Sequence, residues 1–237
     1  MFDGKVVMVT GAAGALGQAT TQHFIDRGAR LVCLDYSDEL LAQAFGDAVS
    51  ASGSGHIYRA VDLTVRDNCA ACCKEILAQV GQVDVLANIA GGFMMGDPVH
   101  STSDETWDFL FNLNTRSIMN MSAGIVPGMI AAASGKIINV AARAATAGAA
   151  HMGVYTATKA AVMRLTESMA LELRGNGINV NCILPGTIDT PRNRQGMPDA
   201  DHASWVPTAD LAEVIGFLAS DAARAVQGAG IAVDGLS

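Results

Sequence analysis

The chain has 237 residues, half of them apolar and 16% charged, with 25 Gly and 11 Met; that is enough for one domain with a large buried core. Such a balance excludes a disordered chain, a disulfide-stapled miniprotein and a coiled coil. Fifteen Lys and Arg against 23 Asp and Glu leave a formal charge of -8, with the basic residues scattered rather than striped, which speaks against a nucleic-acid surface.

The first predicted strand, Lys5 to Thr10, runs into a glycine-rich turn and a helix beginning near Ala15. A strand over Arg30 to Asp35 precedes a helix from Ser37, and a strand over Gly55 to Arg59 precedes a helix from Val65. That helix carries Cys69, Cys72 and Cys73. With no second Cys or His pair at ligand spacing, they read as buried, inert thiols. An odd cysteine count and no leader before the first strand fit a reducing cytoplasm. A strand over Val83 to Ala87 and a helix from Ser103 follow. The uncharged run between Arg116 and Lys136 contains Asn120, Ser122, Gly124, Pro127 and Gly128, so it reads as a buried helix and not as a membrane span. Strands over Lys136 to Asn139 and Asn179 to Leu184 flank a helix starting near Met152. Pro185 to Pro207, rich in Pro, Gly, Asp and Asn, reads as a long irregular stretch, a lid or a disordered loop. A helix from Thr208 and a strand over Gly230 to Val233 close the chain. Ser37, Ser103 and Thr208 are the expected N-caps. The alternation predicts an α/β fold, a single-domain doubly wound parallel sheet of about seven strands over residues 1–237.

Chemistry enters at Thr10-Gly11-Ala12-Ala13-Gly14-Ala15-Leu16-Gly17. A glycine-rich strand-to-helix turn lets backbone amides approach a pyrophosphate, and the helix N-terminus favours its charge. Asp35 ends the next strand, 18 residues after Gly17, where a carboxylate can hold a ribose 2′-hydroxyl. No Lys or Arg lies between Gly11 and Ala19 or at Tyr36 to Asp38, so a 2′-phosphate would meet uncompensated repulsion of about 4 kcal/mol per charge pair. NAD(H) is therefore expected over NADP(H). Farther on, Tyr155-Thr156-Ala157-Thr158-Lys159 places a phenol and an ammonium on one helix face. The cation is expected to lower the phenol's pKa toward the range useful for proton transfer.

With the glycine turn ahead of this pair, the chain resembles the short-chain dehydrogenase/reductase family along its whole length. Val61-Asp62-Leu63, Asn88-Ile89-Ala90-Gly91, Asn114 seven residues after Trp107, and Pro185-Gly186-Thr187-Ile188-Asp189-Thr190 fall in family order. The resemblance implies a Rossmann-like fold. It places Gly11, Ala13, Ala15, Leu16, Gly17, Asp35 and Tyr36 around the cofactor's phosphates and ribose, Asp62 and Leu63 at the adenine, Asn88, Ala90 and Gly91 along the cofactor, and Pro185, Gly186, Ile188 and Thr190 about the nicotinamide. Tyr155 would be the general acid/base, Lys159 would hold the nicotinamide ribose and tune Tyr155, and Asn114 would anchor a proton-relay water. It further implies a small-molecule substrate and a homodimer or homotetramer.

Two positions depart from the family. Ala15 stands where the turn usually has Gly, with Gly14 one place earlier. Ala142 stands 13 residues before Tyr155, where the family usually carries a serine bonded to the substrate oxygen. Losing one preorganised donor typically costs about 10²- to 10³-fold in kcat. Three explanations stand: Thr146 or His151 replaces the donor, the substrate does not need it, or the protein binds cofactor without turnover. The dihydropteridine reductases are a branch that keeps the Tyr and Lys and also has Ala there. The chain is similar to that branch at Gly14-Ala15-Leu16-Gly17, Arg143-Ala144-Ala145, Met152-Gly153-Val154-Tyr155 and, above all, Asp189-Thr190-Pro191-Arg192-Asn193-Arg194 to Met197-Pro198-Asp199-Ala200-Asp201 and Trp205. The expectation is an NAD(H)-dependent oxidoreductase acting on a conjugated or carbonyl substrate, a quinonoid dihydropterin-like ring foremost. In that picture the Arg192 to Trp205 segment closes over the ring, with Trp205 offering an aromatic face. The alternatives are a carbonyl or 3-oxoacyl reductase and a catalytically weak NAD-binding protein.

Overall fold

The computed structural model describes residues 1–49 and 55–236. Seven strands form one parallel sheet: β1 (Val6–Thr10), β2 (Arg30–Asp35), β3 (Ile57–Ala60), β4 (Val85–Asn88), β5 (Gly135–Val140), β6 (Ile178–Pro185) and, from the end of the chain, β9 (Gly230–Val233). Their order in the sheet is β3-β2-β1-β4-β5-β6-β9. Each strand falls where the apolar runs placed it, because a strand covered on both faces has to be apolar at successive positions.

Successive side chains of one strand feed opposite faces. Val7, Val9, Leu31 and Cys33 pack with Leu16 and Phe24 of α1 (Ala15–Ile25) and with Leu211 and Ile215 of α8 (Thr208–Ala219). Val6, Met8, Val32 and Leu34 face the other way. They meet Cys73 and Ile76 of α3 (Arg66–Val80), Met121 and Ile125 of α5 (Ser117–Ala131), and Ala170 and Leu173 of α6 (Gly153–Leu173). The sheet is thus wound on both faces. The uncharged run is α5, carrying Pro127 within it, and among the described residues no helix is long and apolar enough to cross a membrane.

Ser37 and Ser103 cap α2 (Asp38–Phe45) and α4 (Asp104–Phe111), accepting from Leu40 N–H at 3.3 Å and Thr106 N–H at 3.2 Å. Two sequence expectations fail. Thr208 is the first helical residue of α8 rather than its cap, and Pro207 precedes it with no side-chain bond to the helix end. Nor is the Pro185 to Pro207 stretch irregular: it contains β7 (Ile188–Asp189), α7 (Pro191–Gly196) and β8 (Val206–Pro207), with β7 and β8 paired in parallel. Its glycines and prolines punctuate short elements that hydrophobic periodicity cannot detect.

The caps yield a direct check. Ser37→Ala and Ser103→Ala each lower the unfolding free energy by about 0.5–2 kcal/mol, whereas Thr208→Ala changes it by no more than about 0.5 kcal/mol. Urea unfolding of the three variants should show this order.

Candidate functional site

In a parallel sheet the strands' carboxyl ends share one edge, and a crevice opens where the strand order reverses. That reversal lies between β1 and β4. The expected site residues gather along this edge.

The β1–α1 turn is fixed by steric demand. Gly11 has φ +65°, and a Cβ there would sit 2.7 Å from the Ala90 Cα. At Gly17 a Cβ would sit 2.0 Å from the Gly11 carbonyl oxygen. Both positions therefore exclude a side chain. Ala15 meets no such demand, since it is the first residue of α1; Gly14 is the N-cap, and no side chain caps the helix. The first-turn amides are left without a side-chain acceptor, which suits an anion. The buried Thr10 hydroxyl accepts from Ile89 N–H at 3.1 Å and Ala90 N–H at 3.2 Å, joining this turn to the loop after β4.

Asp35 ends β2 with its carboxylate accepting from Ala13 N–H at 2.8 Å and Tyr36 N–H at 2.7 Å. Its charge is thereby held beside the glycine turn, and Tyr36 is exposed next to it. Asp62 accepts from the Thr64 N–H and hydroxyl, while the buried Leu63 is fixed through its carbonyl by Asn120. At the far end, Gly186 N–H donates to the Val233 carbonyl at 2.9 Å, Ile188 lies in β7, and Thr190 caps α7 by accepting from Asn193 N–H. Asn88 differs from the rest: its side chain turns into the sheet, donating to Asn139, which donates to Thr166. Only its main chain reaches the edge.

Asn114 lies in a π-helical turn, Asn112–Arg116, between α4 and α5. Its Oδ1 accepts from Gly92 N–H at 2.7 Å, and its Nδ2 donates to the Gly92 carbonyl and the Thr158 hydroxyl, each at 3.0 Å. Thr158 in turn donates to the Tyr155 carbonyl. The side chain thus clamps the β4 loop to α6, a job no local motif in the sequence announces.

Tyr155 and Lys159 stand one turn apart on α6. The Lys159 Nζ, only 5% exposed as a residue, donates to the Val140 carbonyl at 2.9 Å, and burial pulls its pKa down to about 8. No lowering of the phenol by this cation is seen in the structure. Nζ lies 6.0 Å from the Tyr155 ring centre, and burial pushes the phenol up to about 12. Burial is the cause of that rise, and the cation's hydrogen bond goes to a carbonyl and not to the phenol. Phe93 packs edge-on against Tyr155 at 4.9 Å, a neighbour the sequence did not disclose.

Ala142 is buried just past β5, followed by Arg143, which pairs with Asp234 at 2.9 Å. The Thr146 hydroxyl is given to the Arg143 carbonyl. His151 holds φ +62°, a conformation that costs a non-glycine residue about 1–2 kcal/mol. A cleft beside Tyr155 is lined by His151, Met94, Met95 and Asp97. The picture of Trp205 as an open aromatic face is also corrected: it is 6% exposed and packs on His202, and Arg194 is bound bidentately to Asp189. The three crowded cysteines are buried, with burial raising their thiols.

The short chain dehydrogenase family model matches residues 5–201. The chain belongs to the short-chain dehydrogenase/reductase family. Its members are NAD(P)-dependent oxidoreductases, and so is this chain. It is 34% identical to "Dehydrogenase/reductase SDR family member 6" of Danio rerio over 99% of this chain and 97% of that one. It is 33% identical to "3-oxoacyl-[acyl-carrier-protein] reductase FabG" of Thermotoga maritima over 99% and 98% of the two chains. Among solved structures, levodione reductase superposes with a TM-score of 0.90 at 25% identity, over 99% of this chain and 98% of that one.

The glycine turn offers the most direct structural test. Gly11→Ala has to relieve both the positive φ and the contact with Ala90, so the variant loses about 1–2 kcal/mol or more. The melting temperature should fall by about 2–8 °C, and fluorescence titration should show weakened NADH binding.

Proposed function

We propose that the chain is an NAD(H)-dependent reductase of a planar, electron-poor conjugated ring, of the kind a quinonoid dihydropterin presents, working as a homodimer or homotetramer with Tyr155 as its proton donor. The cofactor fits the crevice on two counts: an uncapped helix N-terminus behind a turn that tolerates no Cβ, and a carboxylate fixed at the end of β2. Gly11, Ala13, Ala15, Leu16 and Gly17 would cradle the phosphates, and Asp35 the adenosine ribose. Asp62 and Leu63 would flank the adenine, Ala90 and Gly91 the middle of the cofactor, and Pro185, Gly186, Ile188 and Thr190 the nicotinamide. Asp35 would repel a 2′-phosphate by about 4 kcal/mol, the basis for NAD(H) over NADP(H).

The bound nicotinamide supplies the hydride. Tyr155, with its phenol held protonated by burial, gives a proton to the reduced ring. Lys159 presents a buried cation to the ribose and to the charge that develops beside it. Asn114 braces the β4 loop against α6, and it would anchor a relay water through its main chain, since its side chain is already engaged.

The reading is carried by Ala142. Where a hydroxyl would steady a localised oxyanion, the site presents a buried methyl. Hydride arriving at a quinonoid ring leaves charge spread over several heteroatoms, so one donor aimed at one oxygen adds little. The folded Asp189 to Trp205 unit, in which Arg194 is tied to Asp189 and Asn193 to the Ile188 carbonyl, is the segment most similar to the dihydropteridine reductases. The identity to a 3-oxoacyl reductase favours a second reading, a carbonyl reductase in which another group replaces the serine.

Steady-state assays with purified protein separate the two. Quinonoid dihydropterin should be reduced with NADH far faster than simple ketones or 3-oxoacyl thioesters, NADPH should serve poorly, and Tyr155→Phe should lose most turnover while binding NADH nearly as before. A preference for 3-oxoacyl thioesters would establish the second reading and overturn the first.

A further inference from the structure

His151 stands out because it combines a backbone conformation disfavoured for any residue with a side chain and a place in the wall of the cleft that contains Tyr155. It has φ +62° and lies four residues before Tyr155, just ahead of α6. Two hydrogen bonds to one glycine hold it there. Its Nδ1 is 2.7 Å from the Gly96 carbonyl oxygen, and Gly96 N–H donates to the His151 carbonyl at 3.0 Å. The pair ties the loop after β4 to the loop after β5, and both loops line the cleft that contains Tyr155. A disfavoured conformation fixed this firmly beside a reacting group is where a functional constraint is to be sought.

The partner at Nδ1 determines what the ring offers. A carbonyl oxygen only accepts, so Nδ1 carries the hydrogen and donates; in the neutral imidazole the other nitrogen, Nε2, is then a bare lone pair. The neutral ring of His151, an exposed residue in the cleft wall, therefore has Nε2 as a hydrogen-bond acceptor. It does not reproduce the donor missing at Ala142, the role the sequence had left open for it. Of the other polar groups lining the cleft, the Thr102 hydroxyl is already given to the Pro98 carbonyl, the Thr106 hydroxyl accepts from Ser103 and keeps a hydrogen to donate, Asp97 is a second acceptor, and Tyr155 is the proton donor already named. Met94, Met95 and Met152 add polarizable thioethers to this mostly polar wall.

We infer that His151 is a specificity-determining residue whose Nε2 accepts a hydrogen bond from a ring N–H of the substrate, selecting flat conjugated substrates that carry such a donor near the position reduced. The inference rests on the proposed reduction of a conjugated ring and deepens it: the substrate class becomes N–H-bearing heterocycles. A site that accepts from a ring N–H discriminates against an analogue that lacks it, because its own polar group is then left unpaired.

The probes are isatin, a flat conjugated dione with a ring N–H, and N-methylisatin, which keeps the reducible carbonyl and lacks the donor. Wild-type protein with NADH should favour isatin by about tenfold in kcat/KM, chiefly through KM, as one hydrogen bond warrants. His151→Gly relieves the positive φ and removes the acceptor, so the ratio should fall to about 1 through poorer use of isatin. NADH titration checks that the variant is folded, and His151→Asn, which also tolerates this backbone region, provides a second variant with a shorter reach and the same expected loss. A ratio that survives in both variants overturns the assignment. So does a ratio that collapses because N-methylisatin improves, since that marks steric exclusion. Equal use of both probes by the wild type overturns it too, leaving the functional reading intact. No NADH oxidation with either probe overturns the assignment as well, while the functional reading is decided by the dihydropterin assay, since reduction of these diones leaves charge on one oxygen.

Discussion

A buried ammonium with a neutral partner is the constraint around which this molecule is arranged. Lys159 is almost wholly removed from water, and its hydrogen bond goes to the Val140 carbonyl rather than to a carboxylate. Burial lowers its pKa from the ordinary 10.5 to about 8, so keeping it charged at neutral pH costs on the order of 3 kcal/mol. The folded state bears that full cost below pH 8. It is relieved as pH rises from 8 to 10.5, where the unfolded chain holds the proton more tightly. Against a fold stability of only about 5–15 kcal/mol that is a large cost, and the proposed role at the cofactor ribose is what would offset it.

The surroundings follow from the need to place that cation. Gly91 comes so close that a Cβ there would lie 3.2 Å from Nζ and 3.0 Å from Asn114 Oδ1. Asn114 reaches Gly92 and Thr158 from a π-turn, a break in helical register of the sort frequent at functional sites. Thr10 fastens the glycine turn to the same loop. Hydrogen bonds and the short main-chain stretch Ile89 to Gly92 together link the glycine turn to the Tyr155 carbonyl. Such networks are held most rigidly when every member is satisfied.

The layered architecture was legible in the sequence because strands covered on both faces and amphipathic helices leave periodic traces. Asp35, Tyr155 and Lys159 were legible because their spacing follows from strand and helix geometry. The clamp at Asn114 was not, since it joins residues 22 and 44 positions apart through a helical irregularity with no compositional mark. Nor was the raised phenol of Tyr155, because proximity along a helix does not reveal where Lys159 Nζ is aimed. Asp189 to Trp205 looked loose because its turn residues are conspicuous, while the ion pair and the buried Trp205 that order it are tertiary.

The pH dependence of kcat/KM for NADH-driven reduction tests most directly whether the buried ammonium is the group the site depends on. This quantity reports the ionisations of the free enzyme. If protonated Lys159 is required, activity falls as pH rises through about 8, well before the Tyr155 phenol would ionise near 12. A profile that stays flat from pH 7 to beyond about 10, where an ordinary lysine titrates, would contradict the account.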